Sequence, residues 1–454
     1  MNSKEVIYIL DKFLNSLSIS TKTKIKQKRK TVNESNQILL LFERLGISVG
    51  HFELVNVVGT SGKGSVAMMI SECLFSSRES VGTFFSPHVS SISERFWFNG
   101  NFVEPKLISK VYRKFISVIK EVSEDPKSAT PTFFESTFAL FLLLAKESNC
   151  KILVLEAGIG GKYDVTRIPF FQKLSVITKI ALDHTELLGK NVSEISRDKA
   201  GIIAEDGQVV VSKNHYVVRG EIAKIAKRKS AKFHSAPVAQ EINSKSNFTS
   251  FNLNFSDGSL MSNLLIPMHG EHQVNNAAVA AGACRLLGLD DLSIAKGLAR
   301  SRLPGRIEIV SENPSVILDI AHNRNKIKAL IKFLRTRSQK KIYFVVGFLE
   351  GKDISGMIEE FSKIKGVFFF TLPPTYSSRS NVPFDKLNNV LLKNGTFDFK
   401  NYIDPHQAIK DALRLSEKDD LIVVTGSTYL VGELRKLWFS NDIILKTGNP
   451  FIKK

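Results

Sequence analysis

Residues 53–65 read ELVNVVGTSGKGS, an apolar run closed by a turn of glycines, one lysine and a serine. ELVNVV (53–58) reads as a buried strand, and SVAMMISECLF (65–75) carries a helical pattern behind it. Strand, glycine-rich turn and helix in that order form a phosphate cradle. Gly59, Gly62 and Gly64 let backbone approach an anion without a side chain in the way. The helix N-terminus adds oriented N–H groups and a partial positive charge. Lys63 is placed to reach the outer phosphates, and Ser65 opens the helix. The common phosphate loop has four residues between its first glycine and its Gly-Lys pair; here Thr60 and Ser61 alone fill that gap. By itself the turn fits a kinase, a GTPase, an ATPase or a ligase, and the plain alternative is a glycine-rich turn with a surface lysine.

Outward from this point, β-like runs alternate with helical patterns. KILVLEA (151–157) follows a helical stretch from Phe133 to Glu147, then come KLSVITKI (173–180) and QVVVS (208–212), with a basic helix near 216–229. The alternation predicts an α/β fold, a mainly parallel sheet with helices on both faces. QEINSKSNFTSFNLNFSDGSL (240–260) is polar and then alternates with period two around SDGS, which predicts a loop and a hairpin. A helix is expected from His272 to Leu287. LPGR (303–306) marks a boundary. Beyond it SVILDI, KIYFVVG, KGVFFFTL and DLIVVTG alternate with helices, a second and smaller α/β domain, with SSRSNVP (377–383) as an internal loop. The expected domains are 1–303 and 304–454.

The 454 residues are 43% hydrophobic and 24% charged, an ordinary globular balance. Cys73, Cys150 and Cys284 are far apart and odd in number, which implies no disulfide framework or zinc site and fits a reducing cytoplasm. The first residues, MNSKEVIYILDKFLNSLSIS, read as an amphipathic helix with charges at Lys4, Glu5, Asp11 and Lys12, not as a signal peptide. FALFLLLA (138–145) is too short to span a bilayer. The net charge of +19 fits nucleic acid, a highly anionic small substrate, or a lysine-rich solvated surface. The densest run, TKTKIKQKRK (21–30), has no interleaved aromatic residues, which weakens the nucleic-acid reading.

Further polar residues stand at strand ends, where open α/β sheets bind ligands. Ser86 in TFFSPHVSSISERFWFNG (83–100) is a candidate metal ligand on the phosphates, beside His88 and the Glu94–Arg95 pair. Glu156 ends a buried-looking strand in LVLEAGIGGKYDVTR (153–167), and Asp164 is a second carboxylate there. The glycine spacing is not the dinucleotide fingerprint, while a carboxylate at that place suits Mg²⁺, which takes oxygen ligands and substrate phosphates. His184 follows a strand beside Asp183, although a lone histidine is more often structural. Lys199 lies near a helix end. Asp319 and His322 in LDIAHN (318–323), Lys352 and Asp353 in GFLEGKD (347–353), and Ser427 in TGST (425–428) repeat the strand-end pattern in the second domain.

Taken together these stretches resemble folylpolyglutamate synthase and the bifunctional dihydrofolate synthase, within the Mur ligase superfamily. GTSGKGS looks like the shortened Mur-type ATP loop. The resemblance runs from about residue 35 to 440 through SPH with ER and NG (86–100), FFEST (133–137), LEAGIGGKYDVT (155–166), LDHTELLG (182–189), DKAGII (198–203), GEHQVNNAA (270–278), LPGR, LDIAHN, GKD (351–353) and TGSTYLVGE (425–433). It implies a P-loop-containing Mur-ligase-like ATPase domain followed by a Rossmann-like glutamate ligase domain. By matching position it implies that Gly59, Thr60, Ser61, Gly62, Lys63, Gly64 and Ser65 hold ATP phosphates, and that Asn276, Arg306 and Asp319 contact ATP. Ser86, Glu156 and His184 would ligate Mg²⁺; Lys199, if carbamylated, would stand beside a second metal, and a monovalent cation belongs to the same set. Asp164, His322 and Ser427 would face substrate, with His322 near the acyl phosphate and the incoming glutamate.

The implied reaction is attack by a substrate carboxylate on the γ-phosphate of ATP, then displacement of phosphate by the amine of glutamate. Positioning and cations (Mg²⁺, Lys63, Arg306 and helix N-termini) carry such chemistry, and the resemblance makes Lys63, Lys199 and His322 the expected catalytic residues. Expected partners are a folate or dihydropteroate and L-glutamate, with no nucleic acid, no membrane and a monomeric state. The chain departs from the family pattern at Ser61 (asparagine), Arg167 (asparagine), Ile320 (glycine) and Arg324 (proline), and lacks the usual proline before the ATP strand. Most of these changes bear on acceptor recognition, so the competing readings are a Mur-type ligase with a non-folate carboxylate acceptor, a nucleic-acid-binding ATPase, and a non-catalytic relative.

Overall fold

The computed structural model describes residues 3–17, 34–125, 128–167, 172–245, 247–375, 380–395 and 397–453. The basic run at 21–30 and residues 377–379 of the 377–383 loop lie outside them. The first sheet has eight strands: β1 (Glu53–Val58), β2 (Val81–Phe84), β3 (Phe96–Phe98), β4 (Asn101–Phe102), β5 (Ile152–Glu156), β6 (Gln172–Ile177), β7 (Gln208–Val211) and β8 (Lys232–Ser235). Their order is β4-β3-β2-β5-β1-β6-β7-β8, with β1 parallel to both β5 and β6. Val57 pairs with Glu156 and Val58 with Ile177, so these three strands end together. That register places the glycine turn, Glu156 and Thr178 on one edge of the sheet. The central strands are buried on both faces, which is why they read as continuous apolar runs.

The expected hairpin is part of a three-stranded antiparallel sheet of β9 (Val238–Ser244), β10 (Thr249–Asn254) and β11 (Leu260–Ile266), ordered β11-β10-β9. β9 replaces most of the expected loop; its side chains are mostly exposed and carry no alternation that would signal a strand. Helix Lys63–Ser76 packs against helices Glu271–Leu286 and Asp291–Arg300 through Met69, Cys73, Ala277, Ala281 and Ile294. FALFLLLA lies in helix Phe133–Glu147, buried among Phe42, Phe84, Phe96 and Phe98. No helix among the described residues is long and apolar enough to cross a membrane, and all three cysteines are free and buried.

The third sheet contains β12 (Glu308–Glu312), β13 (Ser315–Leu318), β14 (Ile342–Val346), β15 (Val367–Thr371), β16 (Asp398–Tyr402) and β17 (Leu421–Thr425) in the order β12-β13-β17-β14-β15-β16. Only β12 runs antiparallel. The LDIAHN, GFLEGKD and TGST loops all leave its carboxyl edge. That edge meets the first sheet's carboxyl edge, because Asn323 and Lys352 both reach Asp183.

Candidate active site

The glycine turn is shaped from beneath and beside. Gly62 is the N-cap of helix Lys63–Ser76 with φ +87°, and the side-chain oxygen of Asn276 lies where a Cβ would go. Asn276 is buried and donates to Gln273 Oε1 at 2.9 Å. Thr60 Oγ1 donates to Ala181 O (3.0 Å) and accepts from Ala181 N (3.2 Å), while Thr178 Oγ1 donates to Ser61 O at 2.8 Å. The Ser61 substitution leaves that support intact, since its backbone carries the bond. Lys63, the first helical residue, makes no hydrogen bond or ion pair with any described residue. Ser65 is buried one turn into the helix start.

Glu156 faces the turn. Its Oε2 accepts from Ser86 N at 2.9 Å, and its carboxylate abuts Gly64. Burial raises its proton affinity, and Lys63 pulls the other way. Oε1 accepts no hydrogen bond among the described residues. Glu156 thus offers an open oxygen beside the phosphate turn, with Ser86 alongside. His184, in a left-handed conformation (φ 48°), caps the short helix Thr185–Leu188, and burial holds its pKa down at about 4, so the ring is neutral. No group of three His, Cys, Asp or Glu side chains gathers as a metal cage among the described residues. An open carboxylate, a hydroxyl and a neutral imidazole still fit Mg²⁺, which usually keeps waters and borrows phosphate oxygens.

Lys199 is buried and donates to Gly59 O at 2.8 Å, which ties helix Val192–Ala200 to the turn. Burial and then Lys63 lower its pKa to about 7. Asp164 is spent within its own loop: it accepts from Ile159 N (2.9 Å), Thr166 N (3.1 Å) and Thr166 Oγ1 (2.7 Å). Arg167 is exposed and bonds back to Lys162 O at 3.4 Å. Near Ser86, Arg95 Nε donates to His88 Nδ1 at 2.9 Å with its guanidinium over the Phe133 ring.

From the second sheet, Asp319 accepts from Ile307 N and Ala321 N, both at 2.9 Å, and burial raises its pKa to about 6. It therefore braces the LPGR turn, where Arg306 donates to Pro304 O at 2.6 Å. Ile320 is buried with Val89 and Val431, so its added bulk fills core. Arg324 forks onto Glu359 (2.5 Å) and Glu360 (3.2 Å) on helix Ile354–Phe361, away from the cleft. His322 Nδ1 is 2.8 Å from Ile320 O and its Nε2 is 3.3 Å from Lys326 Nζ. Ser427 caps helix Thr428–Arg435 by accepting from Tyr429 N at 3.2 Å. Asp183 joins the two sides: Asn323 Nδ2 donates to Oδ2 at 3.2 Å, and Lys352 Nζ stands 3.7 Å from Oδ1. Sequence reasoning gave Asp183 little weight and missed Lys326. The (i, i+4) spacing of His322 and Lys326 at a helix start was the available signal.

The model of the Mur ligase middle domain matches residues 57–284, and that of the Mur ligase glutamate ligase domain matches residues 305–428. The dihydrofolate synthase/folylpolyglutamate synthase of Bacillus subtilis is 28% identical over 407 residues, 87% of this chain and 93% of that protein. A probable bifunctional folylpolyglutamate synthase/dihydropteroate synthase of Halobacterium salinarum is 28% identical over 85% of the chain, which spans 47% of that longer protein. Among solved structures, Mycobacterium tuberculosis folylpolyglutamate synthase complexed with ADP superposes with a TM-score of 0.86 over 96% of this chain and 99% of that one, at 22% identity. E. coli FolC in complex with DHPP and ADP gives 0.76 over 88% and 92% at 26%. With the two domain models matched in the order in which the two parallel-rich sheets follow each other, the chain belongs to the folylpolyglutamate synthase/dihydrofolate synthase family of the Mur ligases.

Proposed function

We propose that the protein is an ATP-dependent amide ligase that adds L-glutamate to a folate, with dihydropteroate as a second acceptor, through an acyl phosphate. The observation that carries this reading is the convergence of a phosphate turn, an open buried carboxylate and cations from both sheets on one cleft. Lys63, unpaired and at a helix N-terminus, holds the ATP phosphates with the turn's N–H groups. Asn276 keeps Gly62 in its left-handed shape, and Arg306 and Asp319 hold the boundary turn against the nucleotide. Glu156, Ser86 and His184 would hold Mg²⁺, which when bound supplies positive charge to the transferred phosphoryl group. Lys199, its pKa lowered to about 7, has near neutral pH a substantial share of the neutral amine that a carbamate requires.

Residues 1–303 form the ATP-binding domain in this reading and 304–454 the glutamate domain. His322 lies where the acyl phosphate meets glutamate, while Ser427 and Asp164 act by holding the loops that face it. The departures at Ile320 and Arg324 occupy core and surface and leave the nucleotide side unaltered. Phosphate release from MgATP by purified protein is the test, with L-glutamate and either tetrahydrofolate or dihydropteroate. Release that requires both glutamate and a pteridine is expected. Release that glutamate alone sustains, or that neither pteridine stimulates, would overturn the folate acceptor.

A further inference from the structure

Lys326 is a cation for which the roles above have no use. It lies in the first turn of helix Arg324–Leu334, where its N–H donates to Asn323 Oδ1 at 3.0 Å. An ammonium is electrostatically unfavourable at that end of a helix. The Lys326 ammonium has one hydrogen-bond partner among the described residues, His322 Nε2 at 3.3 Å. His322 Nδ1 points at the Ile320 carbonyl, which only accepts, so Nδ1 carries the proton and Nε2 receives the bond from Lys326. The ring is therefore neutral and gives Lys326 no counter-charge. Asp183, a nearby carboxylate, is already engaged by Lys352 and Asn323. Asp319 is taken by two backbone N–H groups. Burial, and then the nearby charges of Lys63, Arg306 and Lys352, lower the pKa of Lys326 to about 7.

Four cations from two sheets thus stand near one another, and Lys326, like Lys63, forms no ion pair with a described carboxylate; Glu156, Asp183 and Asp319 act on it only from a distance. A desolvated charge of this kind is costly unless an anion arrives from outside. The ligase reading names one: the phosphoryl group that must cross from the Lys63 turn to an acceptor carboxylate near His322. Resting on that reading, we propose that Lys326 is a catalytic residue whose ammonium binds the oxygens of the phosphoryl group in transit. In this step a carboxylate oxygen of the acceptor forms a bond to the γ-phosphorus. The bond from that phosphorus to the bridging oxygen breaks, and its electron pair leaves on ADP. No proton moves in the transfer, and the bound anion holds Lys326 in its ammonium form. When the glutamate amine later attacks the acyl carbon, the same ammonium accompanies the departing phosphate.

The experiment is calorimetric titration of wild type, Lys326→Met and Lys326→Arg with MgADP and with the magnesium complex of the β,γ-methylene analogue of ATP. Loss of one charge-assisted contact is expected to weaken the triphosphate analogue by about tenfold in Lys326→Met. MgADP affinity stays within about twofold, and Lys326→Arg recovers most of the loss. In turnover, kcat falls by about a hundredfold with KM for L-glutamate within about threefold. Equal affinities of wild type and Lys326→Met for the triphosphate analogue would overturn the proposal. So would a tenfold or greater rise in KM for glutamate with kcat retained, which would give the lysine to the amino acid's carboxylate. If Lys326→Met does not fold, Lys326→Gln is measured in the same way. The titration contains neither folate nor glutamate, so it reads the lysine even if the acceptor proves to be a different carboxylate.

Discussion

Gly62 joins two constraints at one residue: a left-handed backbone and the Asn276 side chain pressed against it. Gly62→Ala meets both, and strain of about 1–3 kcal/mol is expected to weaken MgATP binding by about tenfold or more, read by nucleotide titration. Lys63→Met should lower kcat by about a hundredfold with an unchanged melting temperature, since the side chain holds nothing in the protein. Away from the cleft, Glu72 lies buried beside Arg300 (3.1 Å), and burial raises its pKa to about 7. A carboxyl that holds its proton more tightly when folded is stabilising below its unfolded pKa and loses that contribution as pH rises towards 7. Between pH 5 and 8, Glu72→Gln should therefore gain on wild type by up to about 3 kcal/mol in denaturant melts. A difference that stays flat with pH would show that Arg300 fully compensates the charge. Residue roles were unevenly legible. Lys63 and Glu156 stand out because the glycine turn and a strand end place them, whereas Asp164, Asp319 and Ser427 look equally available in sequence yet spend their oxygens on backbone N–H groups.

Elements were easier to read where local signals agreed. Helix Phe133–Glu147 has a capping box between Thr132 and Glu135 and a continuous apolar interior, and its ends matched the expectation. β9 was missed because an exposed edge strand of polar residues leaves no period in the sequence. The C-terminal elements also share a tie that spacing could not reveal. Arg435 is fully buried, forks onto Glu308 (2.7 and 2.8 Å) and donates to Pro450 O (2.6 Å). Removing one partner strands the other's charge, so Arg435→Met should destabilise by about 3–5 kcal/mol, seen as a lower unfolding midpoint. Glu308 also accepts from Gly305 N at 2.8 Å, so loosening this pair should disturb the LPGR turn as well as the tail.

At the scale of the whole molecule, two carboxyl edges meet over one cleft, and Asp183 links them through Asn323 and Lys352. Lys352 holds the Asp183 carboxyl at about 2, below the usual carboxylate range. Asp183→Asn keeps the shape and removes the charge; if the two sides must close for chemistry, kcat/KM should fall by about ten- to a hundredfold while MgADP affinity holds. The alternation of strands and helices made both α/β units legible, but the meeting of their edges depends on long-range contacts such as Asp183 to Lys352, which no local pattern encodes. The most direct measurement is mass spectrometry of the products formed from MgATP, L-glutamate and a folate whose terminal carboxylate carries ¹⁸O. Ligation through an acyl phosphate predicts a folate heavier by one glutamate residue, with one ¹⁸O in the released phosphate. Unlabelled phosphate, or a folate of unchanged mass while ATP is consumed, would contradict it.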